Sequence, residues 1–244
     1  MSMKWAYRQL YNFNMTIPQD QPIIETPLEA IAETVEEHVI VDDRKFLISR
    51  PAKADTLLDH PAVRARFSDG AYLPYWVDLW PSARMLGKVL LREHWTPGMR
   101  VLEIGCGLGL PGVVALSVGL RVTFSDCDRS ALHFAGRNAR ANGFSDFELL
   151  PLDWNHPPRD LKFPLVFGSD LIYEGRNVAP LVDLIGCVLA PDGVCLITDQ
   201  DRIPAELLRR TLEAHGLRFT TRVVHAGEPG GRRSRGTLYR ITRQ

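Results

Sequence analysis

Val101-Leu-Glu-Ile-Gly-Cys-Gly-Leu-Gly-Leu-Pro-Gly112 begins as an apolar run, turns through alternating glycines and continues into a second apolar stretch. This order reads as a buried strand, a tight turn and a helix start. Gly105, Gly107 and Gly109 remove side chains where the backbone must turn sharply and approach a ligand. Loop amides and helix amides then face that ligand. The next strand-like run, Arg121-Val-Thr-Phe-Ser125, ends at Asp126. A carboxylate there can accept two hydrogen bonds from a ribose diol. The layout is that of a nucleotide-type cofactor site.

Glycine register and charge separate two cofactor classes. A dinucleotide site wants G-x-G-x-x-G with its first glycine directly after the strand. Gly107, Gly109 and Gly112 have that spacing but start two residues late, and from Gly105 the pattern is G-x-G-x-G. Glu103 precedes the first glycine by two residues. A carboxylate there repels a pyrophosphate and attracts an ammonium group. S-adenosylmethionine (SAM) has no phosphate and carries an amino-acid ammonium, so Glu103 favours SAM over NAD.

Outward from this stretch, strands and helices alternate from Arg100 onward. Strands are expected at Val101–Ile104, Val122–Ser125, Phe147–Leu150, Leu165–Ser169 and Val194–Thr198. Helices are expected near Gly112–Val118, Arg129–Asn142, Val178–Leu189 and Ala205–His215. Such alternation implies a parallel sheet with crossover helices. Arg218–Val224 and Gly236–Thr242 read as two strands joined by a Gly- and Arg-rich loop. Pro81–His94 reads as a helix with Pro81 in its first turn and Ala83, Leu86, Leu90 and Leu91 on one face. Before it lie a hairpin, Val35–Val41 with Lys45–Ser49, a weak helix at Asp55–Phe67 and a short helix at Leu28–Thr34. Residues 1–71 therefore form an N-terminal arm, hairpin and short helices, and residues 72–244 the main α/β domain.

The chain's 244 residues suffice for a sizeable core. Lys plus Arg equals Asp plus Glu at 29 each, which argues against bulk nucleic-acid binding. The four cysteines, Cys106, Cys127, Cys187 and Cys195, form no C-x-x-C pair and no zinc spacing, so no metal is expected. The first fifteen residues do not read as a signal peptide. No apolar run reaches the roughly 20 residues that cross a bilayer. A cytoplasmic monomer is the expectation.

Four motifs make residues 72–200 resemble a class I, seven-β-strand SAM-dependent methyltransferase, and within that class the family-16 methyltransferases, many of which methylate protein lysines. They are Leu79-Trp80-Pro81-Ser82-Ala83, Leu102-Glu103-Ile104-Gly105-Cys106-Gly107-Leu108-Gly109, Leu152-Asp153-Trp154 and Ser169-Asp170-Leu171-Ile172-Tyr173. The resemblance implies a Rossmann-like seven-stranded, mostly parallel sheet with an antiparallel C-terminal strand and helices on both faces. It implies SAM held by Trp80, Glu103, Gly105, Cys106, Gly107, Gly109, Asp126, Asp153, Trp154 and Ser169. It places Asp170 and Tyr173 at the carboxyl edge, facing the transferred methyl, and implies a protein lysine as acceptor. Other acceptors remain open: a histidine, an N-terminal amine or a small molecule such as a pyridine. So does a non-catalytic SAM-binding docking module.

Each residue also has a plainer reading. Trp80 is then a core aromatic, Asp153 opens a turn toward Pro157-Pro158, and Asp170 and Tyr173 cap the following helix. Asp128, two residues beyond the apparent strand end, caps Arg129–Asn142 rather than binding ribose. His156 is a solvated loop residue. Arg232, Arg233 and Arg235 form an exposed hairpin tip, or a clamp for an acidic partner surface.

Overall fold

The computed structural model describes residues 33–52, 75–201, 204–227, 231 and 233–243. Nine strands are assigned in them: β1 (Thr34–Val41), β2 (Arg44–Pro51), β3 (Arg100–Ile104), β4 (Arg121–Asp126), β5 (Phe147–Pro151), β6 (Phe163–Ser169), β7 (Leu189–Asp199), β8 (Leu217–Ala226) and β9 (Ser234–Arg243). The helices are α1 (Pro81–Arg92), α2 (Leu110–Ser117), α3 (Arg129–Ala141), α4 (Val178–Val188) and α5 (Ala205–Ala214). The expected helix at Asp55–Phe67 and most of that at Leu28–Thr34 lie outside the described residues; Thr34 itself opens β1.

Seven strands make one sheet in the order β5-β4-β3-β6-β7-β9-β8. Pairs from β5 through β7 are parallel, and β9 runs antiparallel to both neighbours. The chain leaves β3 toward β4 and β5, then returns to the other side of β3 through β6. That reversal opens a crevice beyond the carboxyl ends of the central strands, the usual ligand position in open α/β sheets. Val101, Val122 and Leu165 pack with α1, α2 and α3 on one face, while Leu102, Ile104 and Val166 pack with α4 and α5 on the other. Burial on both faces explains why the strands are continuous apolar runs.

β7 starts at Leu189, five residues before the expected Val194. Phe163 pairs with Leu189 and Leu165 with Val194, so the irregularity around Pro191-Asp192-Gly193 is absorbed inside the ladder. α2 starts at Leu110, two residues earlier than expected, because Pro111 fits a first turn.

β1 and β2 form a separate two-stranded sheet outside the main strand order. Val39, Val41, Phe46 and Ile48 enter the core shared with α1, α2 and α3. The outer backbone edge of β2 meets no strand among the described residues; it meets Asn138 on α3 and Asn142 at that helix's C-cap, one turn apart. Asn142 accepts from Leu47 N at 3.0 Å and donates to Leu47 O at 2.7 Å. Asn138, fully buried, accepts from Ser49 N at 2.7 Å and donates to Ser49 O at 3.1 Å. Each amide carries a donor and an acceptor side by side, as a neighbouring strand would. Asn138 also donates to Leu108 O at 2.9 Å, which joins the hairpin to the glycine loop. Arg92 locks the hairpin turn by a bidentate contact with Asp42 at 2.9 and 2.7 Å.

Candidate functional site

The glycine loop follows β3. Gly105, Gly107 and Gly109 have φ of 58°, 52° and 77°, the left-handed region that favours glycine. At Gly105 a Cβ would lie 2.7 Å from Leu171 Cδ2 and 3.3 Å from Trp154 Cζ2. The missing side chain thus brings the segments after β5 and β6 against the loop. Cys106 N donates to Ser125 O at 2.9 Å, tying the loop to β4. Burial, then the charges of Asp126 and Glu103, push the Cys106 thiol well above its ordinary range. It stays protonated, and nothing activates it as a nucleophile.

Asp126 is buried at the end of β4, where its carboxylate accepts from Gly107 N and Asp128 N, each at 3.0 Å. Burial raises its pKa against the pull of those amides. Cys127 also donates to this carboxylate, through its backbone and its side chain. Asp128 caps α3 through Ser130 N at 2.8 Å, as expected from sequence, and also accepts from Trp76 Nε1 at 2.6 Å. Trp76 packs beside Gly107, with Cβ 3.5 Å from where a Gly107 side chain would start, and its ring lies 5.5 Å from Phe134. Sequence reading missed Trp76. Trp80, which it named, precedes α1 and donates to Tyr75 O at 2.8 Å.

Glu103 is 1% exposed beneath the start of α2, where it fills space that a Gly112 side chain would need. Burial pushes its pKa well above the usual carboxylate range; the Gly112 N–H offsets part of the rise and the Asp126 charge adds to it. Oε2 has no hydrogen-bond partner among the described residues. A raised folded pKa means that Glu103's contribution to stability is complete below its unfolded pKa, about 4.3. That contribution is lost as pH rises through the folded pKa. Relative to the natural chain, Glu103→Gln should therefore gain stability as pH rises from the acid range to neutrality. Urea unfolding across that range checks this; a gap that does not change with pH would return Glu103 to an ordinary pKa.

Beyond β5, Asp153 accepts from Asn155 N at 2.9 Å and from Asn155 Nδ2 at 2.9 Å, and meets His156 Nδ1 at 2.9 Å. Burial raises its pKa, but the hydrogen bonds from Asn155 and His156 together outweigh burial and the net shift is downward. This is the turn geometry of the plainer reading, with Trp154 directed toward Gly105.

After β6, Ser169 pairs in register with Thr198, and Asp170 N donates to Thr198 O at 2.8 Å. Asp170 is 6% exposed and holds φ of 54°, a conformation uncommon outside glycine but open to Asp and Asn. Gln200 Nε2 donates to its Oδ2 at 3.0 Å. Tyr173 is half-buried, and its ring centroid lies 4.5 Å from that of Tyr75. Burial pushes the Tyr173 hydroxyl far up, so it is a neutral donor. The Tyr75 hydroxyl donates to Glu174 Oε1 at 3.3 Å, and Glu174 pairs with Arg176. Gln200 and Tyr75 escaped the sequence reading, since each meets its partner only through the fold.

The crevice therefore gathers the glycine loop, four buried carboxyl groups (Glu103, Asp126, Asp128 and Asp170) and a pair of tyrosines at one sheet edge. Residues 76–211 match a protein-family profile described as lysine methyltransferase.

The chain belongs to the lysine methyltransferase family.

Rat histone-arginine methyltransferase METTL23 is 30% identical over 126 residues, 49% of this chain and 56% of that protein. Zebrafish protein N-lysine methyltransferase METTL21A is 30% identical over 148 residues, 57% of this chain and 64% of that protein. The chain thus spans 56% and 64% of the length of these two relatives, less than two thirds of either. Among solved structures, ribosomal protein L11 methylase from Lactobacillus delbrueckii subsp. bulgaricus superposes with TM-score 0.52 at 20% identity, covering 67% of this chain and 78% of that one. The glycopeptide N-methyltransferase MtfA, complexed with SAM, gives TM-score 0.54 at 15% identity, covering 67% and 95%. These two likenesses show the Rossmann-like fold of the lysine methyltransferase family member described here. No helix among its described residues is long and apolar enough to cross a membrane, and no metal-binding cluster occurs among them.

Proposed function

We propose that the protein is a SAM-dependent N-methyltransferase acting on a lysine side chain of a protein substrate. The residues fit SAM on two observations. The loop presents Gly105 and Gly107, partly exposed and without side chains, at the carboxyl edge, and the carboxyl group beneath it, Glu103, has an oxygen without a partner among the described residues. Burial raises the Glu103 pKa and an adjacent cation lowers it again, so the group ionises against a cationic ligand and favours it over a pyrophosphate. Gly105, Cys106, Gly107 and Gly109 would lie along the methionine half, with Glu103 opposing its ammonium. Asp126 would take the ribose hydroxyls. Asp153 would take the adenine amino group, flanked by Trp154, with Ser169 and Trp80 completing the enclosure. Bound SAM supplies a sulfonium methyl whose departure leaves a neutral thioether, so no acid is needed at the leaving group.

Asp170 carries the acceptor side of this reading: a buried carboxylate in a left-handed conformation, held by Thr198 and Gln200 beside Tyr173. A lysine ammonium has no lone pair and must lose a proton before it reacts. Asp170 attracts and orients the cation and can take its proton through water. Tyr173 and Tyr75 form a low-dielectric wall that favours the neutral amine. Tyr173 donates or stacks to align it. The METTL23 relatives favour a second reading, an arginine acceptor, which a carboxylate also suits. Labelling cell extract with tritiated SAM and identifying the labelled amino acid decides between them; labelled histidine or a labelled small molecule would overturn both.

Asp126→Ala tests the cofactor half. Loss of a charged hydrogen-bonding partner costs about 1.5–3 kcal/mol, or roughly tenfold to a hundredfold in SAM affinity by calorimetry. Unchanged affinity would remove Asp126 from the site, and tight NAD binding without SAM binding would overturn the cofactor.

A further inference from the structure

Charge is divided unevenly along the chain. Residues 202–244 hold ten arginines and three glutamates with neither lysine nor aspartate, leaving 19 Lys and Arg against 26 Asp and Glu in residues 1–201. The described residues of this stretch form α5, β8 and β9. β8 ends the sheet: it pairs with β9, and no other described strand meets its outer backbone edge. Residues 220–223 of this edge strand are consecutively exposed.

The register sorts its side chains. Arg218 lies opposite Thr242, Thr220 opposite Arg240 and Arg222 opposite Leu238, so these share the face toward α1. Arg240 is paired with Glu93. Arg218 and Arg222 are exposed and have no ion pair or hydrogen bond among the described residues. Four residues apart on a strand, they stand about 13 Å from one another. β8 and β7 both run antiparallel to β9, so the Ala226 end of β8 lies at the same sheet edge as Asp170 and Tyr173. Exposed Arg233 and Arg235 are found at that end.

Charges on an edge strand also discourage edge-to-edge association. That role is met by lysine or glutamate equally, and it leaves the exclusive use of arginine and the scarcity of acids unexplained. Arginine is the residue that binds carboxylates in a bidentate fork. Nucleic acid fits less well, because single strands are held by aromatic stacking as well as charge. The aromatic of β8, Phe219, is half-buried on the opposite face, 6.3 Å from Tyr239.

We propose that β8 is a docking edge for an extended acidic segment of the substrate protein. The segment pairs with the outer backbone edge of β8 and sets carboxylates against Arg218 and Arg222. This rests on the reading of the protein as a protein methyltransferase. β6 lies three strand spacings from β8, roughly 14 Å. An acceptor roughly four or five extended residues beyond the docked segment spans that distance across the carboxyl edge.

Fluorescence anisotropy tests the proposal with three probes: a peptide alternating glutamate and threonine, the same peptide N-methylated at alternate backbone amides, and single-stranded poly(U). The glutamate peptide should bind the full chain and weaken as salt rises. Arg218→Glu combined with Arg222→Glu should weaken it at least about tenfold, with SAM affinity and thermal unfolding unchanged because both residues are exposed. N-methylation should weaken it too, since it removes ladder donors. Equal binding of the N-methylated peptide would overturn edge pairing. Tighter poly(U) binding, lost in the double variant, would make the surface a nucleic-acid site. Absence of any binding would leave the arginines as edge guards. Peptide binding by a protein that transfers no methyl group would uphold the docking edge and overturn the methyltransferase reading instead.

Discussion

Asn138→Ala should unfold the chain at markedly lower urea concentration than the natural sequence requires. The substitution deletes one fully buried amide and leaves Ser49 N–H, Ser49 O and Leu108 O without their partner. An orphaned buried polar group costs about 1–3 kcal/mol. Such losses do not add simply at one site, so roughly 3–5 kcal/mol is expected, against a total stability of about 5–15 kcal/mol for a domain. Asn142→Ala should cost less, because that amide is only partly buried. SAM affinity should fall along with stability in the Asn138 variant, since Leu108 belongs to the glycine loop. A loss below about 1 kcal/mol, the value of an ordinary hydrogen bond, would mean that water replaces the amide and that the hairpin is not clamped.

Asp170→Asn and Tyr173→Phe should impair turnover far more than SAM binding. Asn tolerates the left-handed backbone at position 170, so the first variant removes charge while keeping the local fold. The second removes a hydroxyl alone. Each interaction made selectively in the transition state lowers kcat roughly tenfold per ~1.4 kcal/mol. Asp170→Asn, which loses a charged partner worth about 1.5–3 kcal/mol, should fall roughly tenfold to a hundredfold. Activity of the natural chain should rise from pH 7 toward 9, because free lysine has a pKa of about 10.4 and its neutral form grows along that limb. Steady-state kinetics with calorimetric SAM affinity make the test. The following helices have Glu174 and Asn177 at their N-caps, so Asp170 and Tyr173 do not cap them as the plainer reading expected. Full turnover in both variants would return the two residues to packing, and a flat alkaline profile would count against a lysine acceptor.

What could be read from the sequence follows a physical divide. The strand-loop-helix of β3 and α2 is local, and its apolar run and glycines state it directly. Asp128 as the cap of α3 was legible for the same reason, as were the hairpin and the antiparallel β9. Pairings that depend on three dimensions were not. Asn138 and Asn142 look like polar positions on a helix surface, and the atoms they engage are backbone atoms, which have no side-chain signature. Tyr75 and Tyr173 are brought together only by the fold, as are Gln200 and Asp170. The motif around Trp80 drew attention from Trp76, whose contact with Gly107 has no local pattern. Glu103 was legible as a charge near the loop, but its burial beneath α2 came from the space vacated at Gly112.

The asparagine clamp also sets the order of events during synthesis. Asn138 follows Ser49 by 89 residues, and Asn142 follows Leu47 by 95. At a ribosomal rate of roughly 5–20 residues per second, the hairpin waits roughly 5–20 s for the helix that holds it. Through that interval Phe46 and Ile48, which end at 4% and 0% exposure, lack the part of their core that α3 supplies. A nascent chain of this length presents an apolar hairpin with an unpaired edge, the kind of surface that chaperones at the ribosome recognise, and it ceases to do so once α3 has emerged.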